Sequence, residues 1–204
     1  MNSLSVSPKM AYIYSYWPVI SIIAFILLIS GCQNQNAQQS SNQTHNEIGY
    51  DVEQRLEELG ITLSPPTPPT ANYVRAVKTG NLVYLAGHGP DKPEGGQIHG
   101  KMGTDELTLE EGQLAARYTG ISLLNSLKAE IGDLNRVNRI VKVLGMVNAE
   151  PTYTEHSQVI NGFSDLMVKV FGEEVGKHAR AAVGMSSLPG NIPVEIQMIV
   201  EIKE

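Results

Sequence analysis

Apolar positions recur with three rhythms along this chain, and each change of rhythm marks an element. Between Asp51 and Gly60, Val52, Leu56 and Leu59 share one side of a short helix that Gly60 stops. Ser64 to Thr70 (SPPTPPT) is a prolyl-stiffened extended connector. Tyr73–Val77 and Leu82–Ala86 then flank Lys78-Thr79-Gly80-Asn81, the chemistry of a hairpin turn, and Gly87 to Gly103 is a glycine-rich loop. Helical spacing returns from Thr108 to Ile131. Thr108 and Glu111 form a capping box, and Leu114, Tyr118, Ile121, Leu124, Leu127 and Ile131 make the predicted buried stripe. Val137–Val147 reads as a buried strand. Thr154–Phe171 reads as a second helix with Val159, Phe163, Leu166, Met167 and Val170 on its inner face. Arg180–Met185 and Ile192–Ile202 read as strands around Ser186–Asn191.

Two long helices and about five strands predict an α+β sandwich with both helices on one face of the sheet. In the last strand Val194, Ile196, Met198, Val200 and Ile202 alternate with Glu195, Gln197, Ile199 and Glu201. The first set meets the helices. The second is half polar, the pattern of a sheet face covered by a subunit interface or a pocket. Antiparallel pairing of the last two strands around the Leu188 turn puts Arg180 within about one residue of facing Glu195 on that open face. The pair is then either an ordinary cross-strand ion pair or a site for an acidic small molecule.

Charge divides the chain. Fifteen Lys and Arg against 21 Asp and Glu give a formal charge of −6, and none of these residues occurs between Met10 and Asn46. Residues 1–49 hold only Lys9 and Glu47, so the whole excess belongs to residues 50–204, and nucleic-acid binding is not expected. The neutral stretch contains the apolar run Trp17–Ile29, followed by Ser30-Gly31-Cys32, and Ile29-Ser30-Gly31-Cys32 resembles the lipobox of bacterial lipoproteins. In that reading residues 1–31 are a signal peptide, the single cysteine, Cys32, carries the lipid, and 32–49 is a flexible Gln/Asn-rich tether to the 50–204 domain. The domain then faces the extracytoplasmic side of a bacterial membrane. The alternative is an uncleaved anchor over Ala11–Gly31, which is long enough to span a bilayer and exports the same domain. One cysteine and five scattered histidines offer no metal site.

Several segments in order resemble the Rid (YjgF-type) family: Tyr73-Val-x-x-Val-x-x-Gly-Asn, Leu85-Ala-Gly, Val141–Asn148, Ala179-Arg-Ala-Ala-Val-Gly, Leu188-Pro and Val194-Glu-Ile. The match is nearest the longer branch labelled "endoribonuclease L-PSP", which opens with a segment like Arg55–Ile61 and carries His-Ala-Arg, here His178-Ala179-Arg180. The resemblance implies a chorismate-mutase-like fold and a homotrimer with pockets between subunits. It implies hydrolysis of enamines and imines such as 2-aminoacrylate to 2-keto acids and ammonia, without metal or organic cofactor. By the same resemblance Arg180 holds the substrate carboxylate, Glu195 positions or activates water, and Tyr73, Gly87 and Asn161 line the pocket. Ala86 stands where many members carry serine, and Ala182 where many short members carry cysteine.

Two other functions use some of the same residues. A carboxylate-binding or chaperone-like trimer without turnover employs the same Arg180. A ribonuclease needs a basic groove and an acid/base pair; His88 and His99 on the glycine-rich loop are the candidates, and solvated loop side chains are the plainer reading of both.

Overall fold

Asp51 accepts hydrogen bonds from the Glu53 and Gln54 amides, which caps helix α1, Val52–Glu58. The computed structural model describes residues 50–204. The proposed signal, Cys32 and the tether lie outside the described residues.

Strand β1, Ala76–Thr79, turns at Gly80 (φ 58°) into β2, Leu82–His88. Helix α2, Leu109–Ile131, carries the capping box of Thr108 and Glu111 in full and ends at Gly132. Strand β3, Val137–Asn148, leads into α3, His156–Gly176, whose last turn is broken at Gly172 (φ 79°). Strands β4, Ala179–Met185, and β5, Val194–Ile202, complete the chain. The sheet order is β1-β2-β5-β3-β4, with β3 and β4 parallel and every other pair antiparallel. Both long helices pack on one face, and the core between layers includes Val83, Leu124, Val143, Phe163, Met167, Ile196 and Met198.

The hairpin expected of the last two strands does not form. β3, the long central strand, separates β4 from β5 and pairs with each along an opposite edge. Strand, helix and parallel strand from Val137 to Met185 are a crossover unit, which needs the long connection that α3 supplies. Arg180 therefore neighbours Val143, while Glu195 neighbours Met146.

On α2 the expected stripe holds for Leu124, Leu127 and Ile131, which are buried, but not for its first half. Leu114 is 41% exposed, and Tyr118 and Ile121 are only half-buried, whereas Ala115, Ala116, Thr119, Gly120 and Leu123 are buried. Small residues let the two helix backbones approach. A Cβ at Gly120 would lie 2.9 Å from Leu166, and one at Gly162 would collide with the Gln113 carbonyl. On α3 the expected stripe is the observed one, with Val159, Phe163, Leu166, Met167 and Val170 all buried.

Candidate functional site

Arg180 emerges from edge strand β4 on the helix side. Its Nη1 donates to Asn161 Oδ1 at 3.0 Å and Ser164 Oγ at 2.9 Å, and Nη2 donates to the Ser157 carbonyl at 3.3 Å. Asn161 and Ser164, one turn apart on α3, present both oxygens to the same nitrogen. Among the described residues no carboxylate pairs with this guanidinium. Of its five N–H donors, Nε–H and one on Nη2 remain unused. Nε and Nη2 form an edge through which arginine binds a carboxylate with two parallel bonds.

Ser164 was not singled out in the sequence, and His178 stood there only as part of His178-Ala179-Arg180, with no role. His178 Nδ1–H donates to the Gly176 carbonyl at 2.7 Å, so the Ser164 hydroxyl donates to His178 Nε2 at 3.1 Å and offers its lone pairs to Arg180. Burial, and secondarily the Arg180 charge, hold His178 below the ordinary histidine pKa despite the Gly176 bond, so the neutral ring this arrangement needs is favoured. Two spacings were the available signal for both residues. Asn161 and Ser164 are three apart on a helix, and residues 178 and 180 point the same way in extended chain.

Glu195 occupies the open face of β5 and is half-buried. A β-bulge in β2 prepares its place. Leu85 pairs with Met198 and His88 with Ile196, so Ala86 and Gly87 together oppose Gln197. A Cβ at Gly87 would collide with Glu195 Oε1, so glycine is what admits the carboxylate there. Among the described residues the Glu195 carboxylate has no hydrogen-bond or ion-pair partner, and burial raises its pKa above the ordinary glutamate value.

The residues named from the sequence thus fall into two groups. Arg180 joins Asn161, and Glu195 joins Gly87, but the groups lie on opposite faces of the sheet. Tyr73 is 46% exposed ahead of β1 and contacts neither group by a side-chain hydrogen bond. Ala182 packs against the core, and Ala86 lines a shallow cavity of about 410 Å³ on the open face. That cavity is mostly apolar, with Val77, Tyr84, Leu144 and Ile199 among its walls, and Val77 and Tyr84 are 51% and 43% exposed. His99 is exposed and bonds the Gly190 carbonyl. His88 is not the solvated loop side chain expected: it ends β2, is 2% exposed, and bonds Ser126 at 2.7 Å because the bulge turns it toward α2. Among the described residues no three His, Cys, Asp or Glu side chains gather as metal ligands.

Residues 53–202 match the family model described as "YjgF/chorismate mutase-like, putative endoribonuclease". The chain belongs to this family. The YjgF-type match spans the described domain from α1 to the end of β5 and agrees with its five-stranded sheet under two long helices. Protein TCP17 of Trypanosoma cruzi is 44% identical over 151 residues, which cover 74% of this chain and 94% of that protein. A crystal structure of the protein Atu1372, of unknown function, from Agrobacterium tumefaciens is 42% identical with a TM-score of 0.68, covering 74% of this chain and 92% of that one. A "putative endoribonuclease" from Shewanella oneidensis superposes with a TM-score of 0.70 at 27% identity, over 74% and 99% of the two chains. Arg180, Glu195, Gly87 and Asn161 all fall within the YjgF-type segment.

Proposed function

We propose that the protein hydrolyses 2-imino acids, and the enamines in equilibrium with them, to 2-keto acids and ammonia. The observation that carries this is the Arg180 guanidinium, oriented by three uncharged acceptors with two N–H donors still unused. A substrate carboxylate completes that fork with charge-assisted bonds. The reaction needs one water and no cofactor. Water oxygen bonds to the imine carbon, the resulting carbinolamine loses its nitrogen as ammonia, and a C=O replaces C=N. Glu195, desolvated and without a partner among the described residues, takes the proton from water and returns it to the leaving nitrogen. Orientation and this one relay supply the catalysis.

In this reading Arg180 and Glu195 of one chain do not meet, so a second copy brings its open face, with Glu195 and Gly87, to the Arg180 edge. The exposed apolar residues of the open face favour such an assembly, and a cyclic trimer closes it. Cys32 is proposed as the lipidated residue that holds the assembly outside the cytoplasm, and [³H]palmitate incorporation that persists in Cys32→Ser would remove that assignment.

The activity is tested with the full chain in mild detergent, supplied with 2-iminopropanoate generated in situ. Wild type releases ammonia above the uncatalysed rate, and Arg180→Ala loses about 100-fold or more of kcat/KM while keeping its oligomeric state. Equal activity in that variant refutes the role of Arg180. Thermal protection by a 2-keto acid without ammonia release would instead indicate a binding protein.

A further inference from the structure

A second cavity, of about 720 Å³, shares no lining residue with either half of the candidate site. It is the space between the outward stripe of α2, the prolyl connector and the loop from Asp91 to Gln97, with Arg75 at its border. The first half of the stripe that periodicity assigned to the core lines it: Leu114, Tyr118 and Ile121 face this cavity because the small residues of α2 face α3, while Leu124, Leu127 and Ile131 are buried as expected.

Its charge is unbalanced. Arg75, Lys92 and Arg117 line it against one carboxylate, Asp91, although residues 50–204 carry a net −6. Asp91 is already engaged: Oδ1 accepts from Gln97 Nε2 at 2.8 Å and Oδ2 from Ser122 Oγ at 3.3 Å. Arg75 spends its Nε–H on the Thr67 carbonyl, which leaves both Nη groups available. Lys92 makes only a long contact, 3.8 Å, with the exposed Glu94. Arg117 is half-buried and has no hydrogen-bond or ion-pair partner among the described residues. No acid stands at helical-neighbour spacing from it, since those positions are Gln113, Leu114, Gly120 and Ile121. A half-buried guanidinium left this way is costly unless something anionic joins it.

The floor is built and does not compete. His88 Nδ1–H donates to the Ala86 carbonyl at 2.8 Å, so the Ser126 hydroxyl donates to Nε2 at 2.7 Å. Burial keeps His88 below its ordinary pKa, and the Arg75 charge acts in the same direction. Asn125 Oδ1 accepts from the Ser64 amide at 2.9 Å, which pins the connector and leaves the Asn125 amide group to donate.

We propose that this cavity is a binding site for a small organic anion, a carboxylate or phosphate monoester, with Arg117 and Arg75 on the oxyanion and the prolines, Leu114, Tyr118 and Ile121 against its apolar body. The site goes beyond the imine chemistry and does not depend on it.

Isothermal titration of the full chain in mild detergent with phenyl phosphate, and separately with benzoate, tests the proposal. At least one probe binds wild type and Arg180→Ala with equal affinity, binding weakens as salt rises, and Arg117→Gln weakens it about 10-fold or more. Without ligand, Arg117→Gln melts no lower than wild type, because it removes a cation from a like-charged group rather than a contact. The relative affinity of the two probes identifies the preferred oxyanion. Unchanged affinity in Arg117→Gln, loss of binding in Arg180→Ala, no binding of either probe at millimolar concentration, or tighter binding of an RNA oligonucleotide than of either probe would overturn the proposal.

Discussion

Arg180 and Glu195 are each unfinished in a complementary way. The guanidinium is fixed by Asn161, Ser164 and the Ser157 carbonyl, all neutral, so its orientation is set and its charge is not cancelled. The carboxylate is desolvated beside Gly87, which raises its pKa. For an acid with a raised folded pKa, the proton is bound more tightly in the folded state, so the penalty is absent below the unfolded pKa and complete above the folded one. Glu195→Gln should therefore raise the melting temperature at pH 7, and this gain should shrink to nothing as pH falls below the ordinary glutamate value. Melting curves of the two proteins from pH 3.5 to 7.5 check this; a gain independent of pH would show that ionisation is not the cause. Catalysis runs the other way, with kcat/KM rising as Glu195 ionises.

At the scale of elements, the contact between α2 and α3 decides which residues remain for function. Gly162 meets the Gln113 carbonyl so closely that a methyl group has no space, and Gly162→Ala should cost about 2 kcal/mol or more in denaturant unfolding. A neutral effect would mean that the helices separate easily. Periodicity found α3 correctly because its inner stripe is made of large apolar residues. On α2 it placed Leu124, Leu127 and Ile131 correctly but misplaced Leu114, Tyr118 and Ile121, because close helix contact there is made by Gly112, Ala115, Ala116 and Gly120, which carry little hydrophobic weight. Alternation assigned both faces of β5 correctly but says nothing about which strand lies beside it. The short link from Met185 to Val194 therefore looked like a hairpin although it passes across β3. The strand-helix-strand order from Val137 to Met185 was the available indication of the parallel pair. Arg180, Asn161, Gly87 and Glu195 were legible from family resemblance. Ser164 and the part His178 plays beside it emerged only with the hydrogen bonds.

At the scale of the whole molecule, opposite placement of the two groups requires more than one copy for the proposed chemistry. An open sheet face with exposed Val77 and Tyr84 is a surface that a second copy would cover, and a cyclic arrangement lets every copy lend its Arg180 edge to one neighbour and its Glu195 face to the other. Mixing tests this directly. Arg180→Ala and Glu195→Gln chains are each inactive alone, but unfolded together in equal amounts and reassembled they should recover about a quarter of wild-type ammonia release, since one interface in four then joins an intact arginine to an intact glutamate. Recovery no greater than that of either parent would contradict a site shared between copies.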